Sequence, residues 1–398
     1  MKKTLIFSLL LILLFSCTAS PDQQQKVNEL IQNASKAFVP DTRVAICDIH
    51  STIDGSTVTL TGYTSTPPLL VVLNDLLENE DYTVVNNVEI LPSIALEKKY
   101  GVVNLSVITM RAAPSYSSET LTQALLGQPI KIYQKDGWYR IQTPDDYLGW
   151  THRSSIVPMT KSELDDWNAA KKVVVMSTYA FSHEAPTALS ARVTDLVAGN
   201  RLRFLGKEKG YYKVAYPDHK VAYVSFVDAL LEEDWKSTLK QTASSIIETA
   251  HSLMGVPYLW GGTSTKSVDC SGFVKTAFFL HGIILPRDAS QMAYVGEHLD
   301  IKSDFSNLKP GDLLFFGRKA TKEKKARVIH VGLYLGNKRF IHAQGHVFVS
   351  SFDPADPKYD AYNLHRLLWS TRVLDYIGQP GIQNITTNPY YAVTPQKK

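Results

Sequence analysis

The sequence predicts a multidomain α+β protein, and three observations lead to this prediction. The chain has 398 residues, which at ~150 residues per domain suggests two to four domains. A pattern of short alternating strands occurs twice in the middle of the chain, and this pattern is typical of small β-barrels. The last third combines an apolar helical stretch with two alternating strands, which indicates a mixed helix-and-sheet domain.

The composition excludes several classes of protein. Hydrophobic residues make up 44% and charged residues 20% of the chain, which excludes a disordered chain, a collagen-like repeat and a multi-span membrane protein. The formal net charge is +4, and it falls to +2 without Lys2 and Lys3, so the charge gives no support for nucleic-acid binding. Three cysteines cannot build a disulfide framework, and apolar burial must therefore form the core.

The N-terminus has the pattern of a bacterial lipoprotein signal. Two lysines precede an apolar run from Leu5 to Phe15, which is too short to span a bilayer and is typical of a signal peptide. The following Ser16-Cys17 completes a pattern that resembles the lipobox, whose cysteine is acylated and becomes the new N-terminus. The alternative is an ordinary signal peptide. We therefore expect a lipid anchor on Cys17 and a location outside the cytoplasm, at a membrane of the periplasm or cell envelope.

Residues 22–98 are predicted to form a small α+β domain with an α-β-β-α-β order. The predicted elements are a helix at 22–36, strands at 42–49 and 56–63, a helix at 67–78 and a strand at 82–91. Asp54-Gly55 favours a hairpin between the first two strands. The order weakly resembles the BON-type domain, and we assign it no chemistry. Cys47 is expected to be a buried small apolar side chain.

The strand repeat occupies residues 100–160 and 172–232. Its two copies have a central glycine, Gly137 or Gly210, followed 13 residues later by an aromatic residue, Trp150 or Tyr223. Short alternating strands with turn signals predict a small β-barrel for each copy. The G-W-Y-R-I and Y-L-G-W elements of the first copy resemble bacterial SH3 domains, so we expect two SH3-like barrels.

The third unit, residues 235–372, contains the candidate chemistry. Residues 235–255 are predicted as a helix, and Cys270 then follows a glycine-rich loop at the start of an apolar helix. The N-terminus of a helix stabilises a thiolate, which lowers the pKa of the thiol, and its free N–H groups can stabilise an oxyanion. The pattern predicts a nucleophilic cysteine and no metal or cofactor. The tail, residues 373–398, has no clear period and is expected to pack loosely.

A nucleophilic cysteine needs a base, and a predicted hairpin around Gly336 contains two histidines. If the loop centres on Gly336, the numbers of paired residues sum to 672, and His330 lies opposite His342 on one face. A two-residue loop gives a sum of 673 and places the histidines on opposite faces. Only the first register gives a Cys–His–His line, with His330 as the base and His342 orienting it.

Five motifs in order carry a family resemblance. P-Y-L-W-G-G, D-C-S-G-F-V, L-P-R-D-A-S-Q, P-G-D-L-L-F-F and H-V-G-L-Y resemble the NlpC/P60 cysteine peptidases. The resemblance implies a papain-like α+β domain with a triad of Cys270, His330 and His342. Two preceding SH3-like domains resemble the γ-D-glutamyl-L-diamino-acid endopeptidases of the YkfC type, which cut murein peptides.

The resemblance also implies residues that contact the substrate. Tyr258 corresponds to the tyrosine beside the oxyanion site, and Asp269, Ser271 and Asp288 line the substrate side. Asp288 is alternatively only a helix cap. Ala289 departs from the serine that follows this aspartate in the family, which puts a substrate hydrogen bond from that position in doubt.

The first barrel is expected to reach the same site. Glu119 and Tyr147 resemble the positions that hold the free amine of an N-terminal L-alanine, with Glu119 as the negative charge and Tyr147 as an acceptor. The alternative for both is plain barrel packing or surface. The basic run at 318–327 is expected to be a solvated loop or, alternatively, a contact for anionic wall polymer.

Two other functions compete with the endopeptidase. One is a CHAP-like amidase that cuts the sugar–peptide bond of intact peptidoglycan. The other is a non-catalytic lipoprotein that binds the wall, which the complete set of Cys270, His330 and His342 argues against. The expected partners are murein peptides or peptidoglycan and, through the lipid anchor, a membrane. We expect a monomer and no nucleic acid.

Overall fold

The computed structural model describes residues 20–391, so the predicted lipobox and Cys17 lie outside the described residues. The chain forms two compact units, one ending at Ile94 and one beginning at Ala95, shortly before the predicted boundary at residue 98. None of the helices between residues 20 and 391 is long and apolar enough to cross a bilayer.

The first unit has the predicted α-β-β-α-β order, with one further short strand. Its elements are α1 (Pro21–Phe38), β1 (Cys47–Asp54), β2 (Thr57–Thr64), α2 (Pro68–Glu78), β3 (Thr83–Asn86) and β4 (Glu89–Ile90). β1 pairs antiparallel with β2 through the Asp54-Gly55 turn, and β3 and β4 both pair parallel with β2. Apolar side chains of the two helices, including Val27 and Leu73, pack on the sheet.

Two details of the first unit differ from the sequence prediction. The first strand begins at Cys47 rather than at residue 42, because the Asp41 carboxylate accepts a hydrogen bond from the Arg43 N–H at 2.9 Å and holds the preceding segment in a turn. Cys47 is half-buried at the edge of the core, where its thiol donates to Ser35 Oγ at 3.3 Å.

Two seven-stranded β-barrels follow in the second unit, and helix α3 (Lys161–Ala169) connects them. The strands of the first barrel are β5 (Tyr100–Val103), β6 (Val107–Arg111), β7 (Thr120–Leu125), β8 (Pro129–Asp136), β9 (Trp138–Gln142), β10 (Leu148–His152) and β11 (Ile156–Met159). Those of the second barrel are β12 (Lys172–Val175), β13 (Ala180–His183), β14 (Arg192–Leu196), β15 (Arg201–Glu208), β16 (Tyr211–Ala215), β17 (Val221–Ser225) and β18 (Ala229–Leu231).

The two barrels have the same topology, as the sequence repeat predicts. The strand order is β11-β5-β8-β9-β10-β6-β7 in the first barrel and β18-β12-β15-β16-β17-β13-β14 in the second, which is the same order shifted by seven strands. Trp150 pairs with Arg140 in one barrel and Tyr223 pairs with Lys213 in the other, so the two aromatic residues of the repeat occupy equivalent positions.

The remaining residues form a C-terminal domain of helices packed on a sheet. Its elements are α4 (Glu232–Ser237), α5 (Ala243–Ser252), β19 (Thr263–Ser264), β20 (Ser267–Val268), α6 (Cys270–Phe279), β21 (Ile283–Ile284), α7 (Ala289–Met292), β22 (Glu297–Leu299), β23 (Leu313–Arg318), β24 (Arg327–Gly336), β25 (Arg339–Gln344), β26 (His346–Ser351), α8 (Ala361–His365), β27 (Leu367–Arg372) and β28 (Gln383–Asn384). Six strands form one antiparallel sheet in the order β22-β27-β23-β24-β25-β26. Helix α6 is buried along almost its whole length and packs on β24 and β25.

The helix predicted at 235–255 is interrupted. Thr238 Oγ1 donates to the Asp234 carbonyl oxygen at 2.9 Å and closes α4, and Thr242 accepts the Ser245 N–H at 3.3 Å and begins α5. Hydroxyl groups that bond to the backbone in this way favour helix ends over helix interiors.

The tail does not pack loosely, contrary to the sequence prediction. β28 pairs with β21, and Ile385, Tyr390 and Tyr391 are buried. The Asn388 side chain donates to the Pro144 carbonyl oxygen of the first barrel at 2.9 Å. Burial of these side chains holds the tail through residue 391 against both the barrels and the C-terminal domain.

Candidate active site

Cys270 is the first residue of α6, and the turn before it is held by Asp269. The Asp269 side chain is the N-cap and accepts the Gly272 N–H at 2.7 Å and the Gly261 N–H at 3.0 Å. A Cβ atom at Gly272 would lie 1.9 Å from the Gly262 carbonyl oxygen, so only glycine permits this approach of loop and helix. Caps and glycines thus fix where Cys270 begins its helix.

The electrostatics at Cys270 differ from the sequence prediction. Burial and the neighbouring Asp269 carboxylate raise the pKa of the Cys270 thiol to about 12, although backbone N–H groups of Val331 and Ser271 act in the opposite direction. The helix N-terminus therefore does not lower the thiol pKa on its own, because desolvation of the sulfur outweighs it. A neutral thiol at pH 7 makes a base necessary for nucleophilic attack.

The two histidines lie on neighbouring strands, but in neither predicted register. The turn consists of Asn337 and Lys338, with φ of 51° and 60°, and Gly336 pairs with Arg339. Leu335 is then left unpaired as a β-bulge, which shifts the remaining pairs to Tyr334 with Phe340 and Leu333 with Ile341. At the turn the numbers of the paired residues, Gly336 and Arg339, sum to 675. If this odd sum continued along the hairpin, the two histidines would lie on opposite faces.

Beyond the bulge the numbers of paired residues sum to 674, which is even, so His330 and His342 share a face as diagonal neighbours. Their rings lie 5.1 Å apart between centroids, and His330 Nε2 is 2.9 Å from His342 Nδ1. Burial, His342 and Arg366 hold the pKa of His330 well below 6.5, and burial lowers the pKa of His342 to about 4. Both rings are therefore neutral at pH 7, and His330 can accept a proton.

A buried arginine ties the cysteine turn together. Arg287 is 1% exposed, and its guanidinium donates to both carboxylate oxygens of Asp269, at 3.2 and 2.6 Å, and to Ser271 Oγ at 2.8 Å. Its Nε donates to Thr122 Oγ1 of the first barrel at 2.7 Å. Burial alone would lower the pKa of Arg287, but the Asp269 charge outweighs it and raises the pKa above its usual value.

Further polar contacts join the first barrel to the C-terminal domain. The Trp260 indole N–H donates to Glu119 at 2.9 Å, Thr263 N–H donates to Gln123 at 2.9 Å, and Lys275 of α6 forms a buried ion pair with Asp145 at 2.6 Å. The loop that precedes Cys270 and the helix that follows it are therefore both held by the first barrel.

The structure gives the predicted substrate residues different environments. Asp269 and Ser271 are buried and hydrogen-bonded to Arg287, so both side chains serve to hold the cysteine turn. Tyr258 is half-buried close to Cys270, and its pKa is raised by burial, by the thiolate that Cys270 forms at high pH and by the Asp269 carboxylate, so its hydroxyl is protonated at pH 7. Asp288 caps α7, as in the alternative interpretation, and also accepts a hydrogen bond from Tyr147 Oη at 3.0 Å.

Two side chains of this site were not identified from the sequence. Arg287 belongs to the L-P-R-D motif, but an arginine next to a cap aspartate gives no signal that it will be buried. Trp260 is 62% exposed beside Glu119, and its place in P-Y-L-W-G-G was the only indication available. Both roles depend on the first barrel, whose position no local pattern specifies.

We expect the Thr122→Val variant to lower the stability of the second unit. The substitution keeps the shape of the side chain but leaves Arg287 Nε without its barrel partner, and hydrogen bonds to charged groups contribute about 1.5–3 kcal/mol. Thermal unfolding should show a melting temperature lower by a few degrees, whereas Thr122→Ser, which keeps the hydroxyl and loses one buried methyl group, should show a smaller decrease. Equal melting temperatures for both variants would contradict the importance of this contact.

Comparison with known proteins places this site in a family. Residues 255–366 match the NlpC/P60 family, and residues 106–157 match the bacterial SH3 domain. A solved NlpC/P60 family protein from Bacillus cereus has a similar fold, with a TM-score of 0.58 and 23% identity, covering 69% of this chain and 99% of that one.

Curated relatives agree with this match. A γ-D-glutamyl-L-lysine dipeptidyl-peptidase of Bacillus subtilis is 31% identical over 56% of this chain and 71% of its own length. A protein of the same name from Bacillus cereus is 29% identical over 56% of this chain and 66% of its own length. The match thus spans about two thirds of each relative, and at this identity the chain belongs to the NlpC/P60 family of cysteine peptidases, which hydrolyse cell-wall peptides.

Proposed function

We propose that this protein hydrolyses the bond between γ-D-glutamate and the L-diamino acid of murein peptides that begin with a free L-alanine. The observation that carries the proposal is the contact of the first barrel with the cysteine turn, which brings Glu119 beside Trp260 and Tyr147 beside Asp288. The names of the relatives support the bond specificity. The diamino acid is either diaminopimelate or lysine.

The proposed nucleophile is Cys270 and the proposed base is His330. His330 removes the thiol proton while the sulfur attacks the γ-carbonyl carbon, which forms the C–S bond and a tetrahedral oxyanion. Free N–H groups at the start of α6 and the protonated hydroxyl of Tyr258 are the candidate donors to this oxyanion. The imidazolium then protonates the leaving amine of the diamino acid as the C–N bond breaks.

The second half of the reaction releases the thioester. His330 removes a proton from a water molecule, and the resulting oxygen nucleophile attacks the thioester carbon. The C–S bond breaks, the sulfur takes the proton back, and L-alanyl-γ-D-glutamate leaves. His342 keeps the ring of His330 in one orientation through the 2.9 Å hydrogen bond.

Amine recognition follows from the donors and acceptors that the barrel supplies. The Tyr147 hydroxyl uses its hydrogen to donate to Asp288 at 3.0 Å, so its oxygen can only accept a further hydrogen bond. Glu119 offers a carboxylate that is exposed in the free protein. An ammonium group, which only donates, fits such acceptors, whereas an amide nitrogen offers one hydrogen and no charge.

We also propose that the mature protein acts at a membrane surface outside the cytoplasm, anchored through Cys17. This proposal rests on the lipobox pattern in the sequence. The CHAP-like amidase remains the second candidate function, and a preference for intact peptidoglycan over released peptides would favour it.

The Cys270→Ala variant should lose all hydrolysis of L-Ala-γ-D-Glu-diaminopimelate, because the methyl group that replaces the thiol cannot attack the carbonyl. Mass spectrometry of the products measures this, and the melting temperature should change by no more than a few degrees. Cys47→Ala is the matched control, since Cys47 lies in the first unit, and it should keep wild-type activity. More than trace activity in the Cys270 variant would overturn the assignment.

The two histidines should respond differently to substitution. His330→Ala should be as inactive as the cysteine variant because the base must accept a proton. His342→Gln or His342→Asn should retain more activity, since the orienting residue needs only to accept a hydrogen bond from the other ring nitrogen. Steady-state kinetics that show equal loss at both positions would count against these roles.

Peptides with a free amine should be cut at least roughly a hundredfold faster than their N-acetylated forms, because the bound peptide covers Glu119 from water and an amide would leave the covered charge without a cationic partner. The comparison uses L-Ala-γ-D-Glu-diaminopimelate and its N-acetyl derivative with the wild type, Glu119→Gln and the control Asp136→Asn. The Glu119 variant should lose most of the preference, and the control, an exposed acid of the same barrel, should keep it.

Two results would contradict the proposed role of Glu119 in binding the amine. Equal rates for both peptides in the wild type would show that the site does not select a free amine. An unchanged preference in Glu119→Gln would place this carboxylate outside the binding site.

A further inference from the structure

The hydrogen-bond chain at the histidines continues beyond His342. His342 Nε2 lies 3.1 Å from Ser350 Oγ on β26, and Ser350 Oγ lies 3.0 Å from Asp360 Oδ2 at the N-cap of α8. His342 is fully buried and Ser350 is 3% exposed, so water cannot replace either partner. Four side chains therefore form one unbranched path from His330 to a carboxylate.

The carboxylate determines the direction of every hydrogen bond in this path. An ionised carboxylate only accepts, so the Ser350 hydroxyl donates to Asp360. The Ser350 oxygen must then accept the hydrogen of His342 Nε2, which leaves His342 Nδ1 as an acceptor. His330 Nε2 must in turn carry a hydrogen and donate it to His342 Nδ1 at 2.9 Å.

This order leaves one nitrogen of His330, Nδ1, without a proton and available as a base. The Val331 N–H, next in the chain to His330, hydrogen-bonds the Cys270 sulfur, so the cysteine lies beside the strand that carries His330. The opposite tautomer would present an N–H group to the thiol and could not accept its proton.

We propose that Ser350 and Asp360 are positioning residues that hold His330 in the Nε2–H tautomer and thereby make its Nδ1 the proton acceptor for Cys270. The inference rests on the proposed function, in which His330 is the base. It adds two residues to the Cys–His–His set and gives the orienting histidine a defined protonation state.

Asp360 is itself held in place. Its Oδ1 accepts the Asn363 N–H at 2.9 Å, and its Oδ2 accepts the Asn363 side-chain amide at 2.6 Å. These donors fix both oxygens, so the carboxylate cannot turn away from Ser350. The other charged or titratable groups that act on the histidines are Arg366 on both and His346 on His342.

Substitution of Asp360 by asparagine should reverse the direction of the hydrogen bonds along this path rather than merely weaken them. The amide oxygen would stay toward the Asn363 N–H, because a backbone donor cannot turn away. The NH₂ group would then face Ser350, and the Asn363 side chain can turn toward it its Oδ1, which has no hydrogen-bond partner in the described part of the chain. Ser350 would accept from this group and donate to His342 Nε2. His342 would donate to His330, and the proton of His330 would move to Nδ1, the nitrogen that the proposed function needs as the base.

The experiment uses the purified full chain with five substitutions: Asp360→Asn, Ser350→Ala, Ser350→Thr, Ser370→Ala and, to measure how far alkylation depends on His330, His330→Ala. Ser350→Thr keeps the hydroxyl. Ser370→Ala is the matched control, since Ser370 is a buried serine of the same sheet whose hydroxyl has no hydrogen-bond partner within residues 20–391. The readouts are kcat and KM on L-Ala-γ-D-Glu-diaminopimelate, the pH dependence of Cys270 alkylation by iodoacetamide, and the tautomer of His330 from ¹⁵N NMR.

We expect kcat to fall roughly a hundredfold in Asp360→Asn and roughly tenfold in Ser350→Ala, with KM nearly unchanged, because a misplaced proton removes the base but not the binding site. NMR should show the Nε2–H form of His330 in the wild type and Ser350→Thr, and the Nδ1–H form in Asp360→Asn. Ser350→Thr should retain most of the kcat that Ser350→Ala loses, and Ser370→Ala should keep wild-type kinetics. If Asp360→Asn does not fold, the test rests on Ser350→Ala, which keeps the Asp360 cap of α8.

Two outcomes are distinguishable. The inference alone would be overturned if the wild type hydrolyses the peptide and shows His330-dependent alkylation, while Asp360→Asn and Ser350→Ala behave like the wild type. A loss of activity with an unchanged His330 tautomer would also overturn it, because that is the result of a purely structural role. A wild-type protein without His330-dependent alkylation of Cys270 would overturn the proposed function and the inference with it.

Discussion

The guanidinium of Arg287 is the contact on which the arrangement of the site depends. It is buried, and a buried charge is tolerated only when its hydrogen bonds are satisfied. Asp269 and Ser271 supply partners from the cysteine turn, and Thr122 supplies one from the first barrel. The barrel is therefore part of the structure that holds Cys270, and not a separate module beside it.

The same contact explains how one barrel can contribute to substrate selection. Strand β7 lies against the loop before Cys270 so closely that a Cβ atom at Gly261 would approach Thr120 Cγ2 to 2.5 Å. Glu119 precedes this strand, and Tyr147 lies on the loop before β10 that also carries Asp145, the partner of Lys275 in α6. Residues that hold the nucleophile and residues proposed to hold the amine thus share one rigid surface.

Because the cysteine and the histidines are neutral, a proton must be transferred during the first step of the proposed reaction. With the thiol pKa raised to about 12 and the histidine pKa values lowered, Cys270 and both histidines are neutral at pH 7 in the free protein. The proton must move to His330 as the sulfur attacks, so the order of protons along the histidine chain decides whether the reaction can begin.

Much of the fold was predictable, because local patterns determine it. The strand repeat predicted two barrels of one topology, and the D-C-S-G motif predicted the helix that begins at Cys270. Features that depend on tertiary packing were not predictable. The bulge at Leu335 changed the hairpin register while keeping both histidines on one face, and burial of Tyr390 and Tyr391 fixed a tail that lacks any period.

The most direct test of the barrel's part in the site is a crystal structure of the Cys270→Ala variant with bound L-Ala-γ-D-Glu-diaminopimelate. The barrel's role predicts that the alanine ammonium lies within hydrogen-bonding distance of Glu119 and Tyr147, with the γ-carbonyl carbon next to position 270. An ammonium group that points into solvent, away from the first barrel, would contradict it.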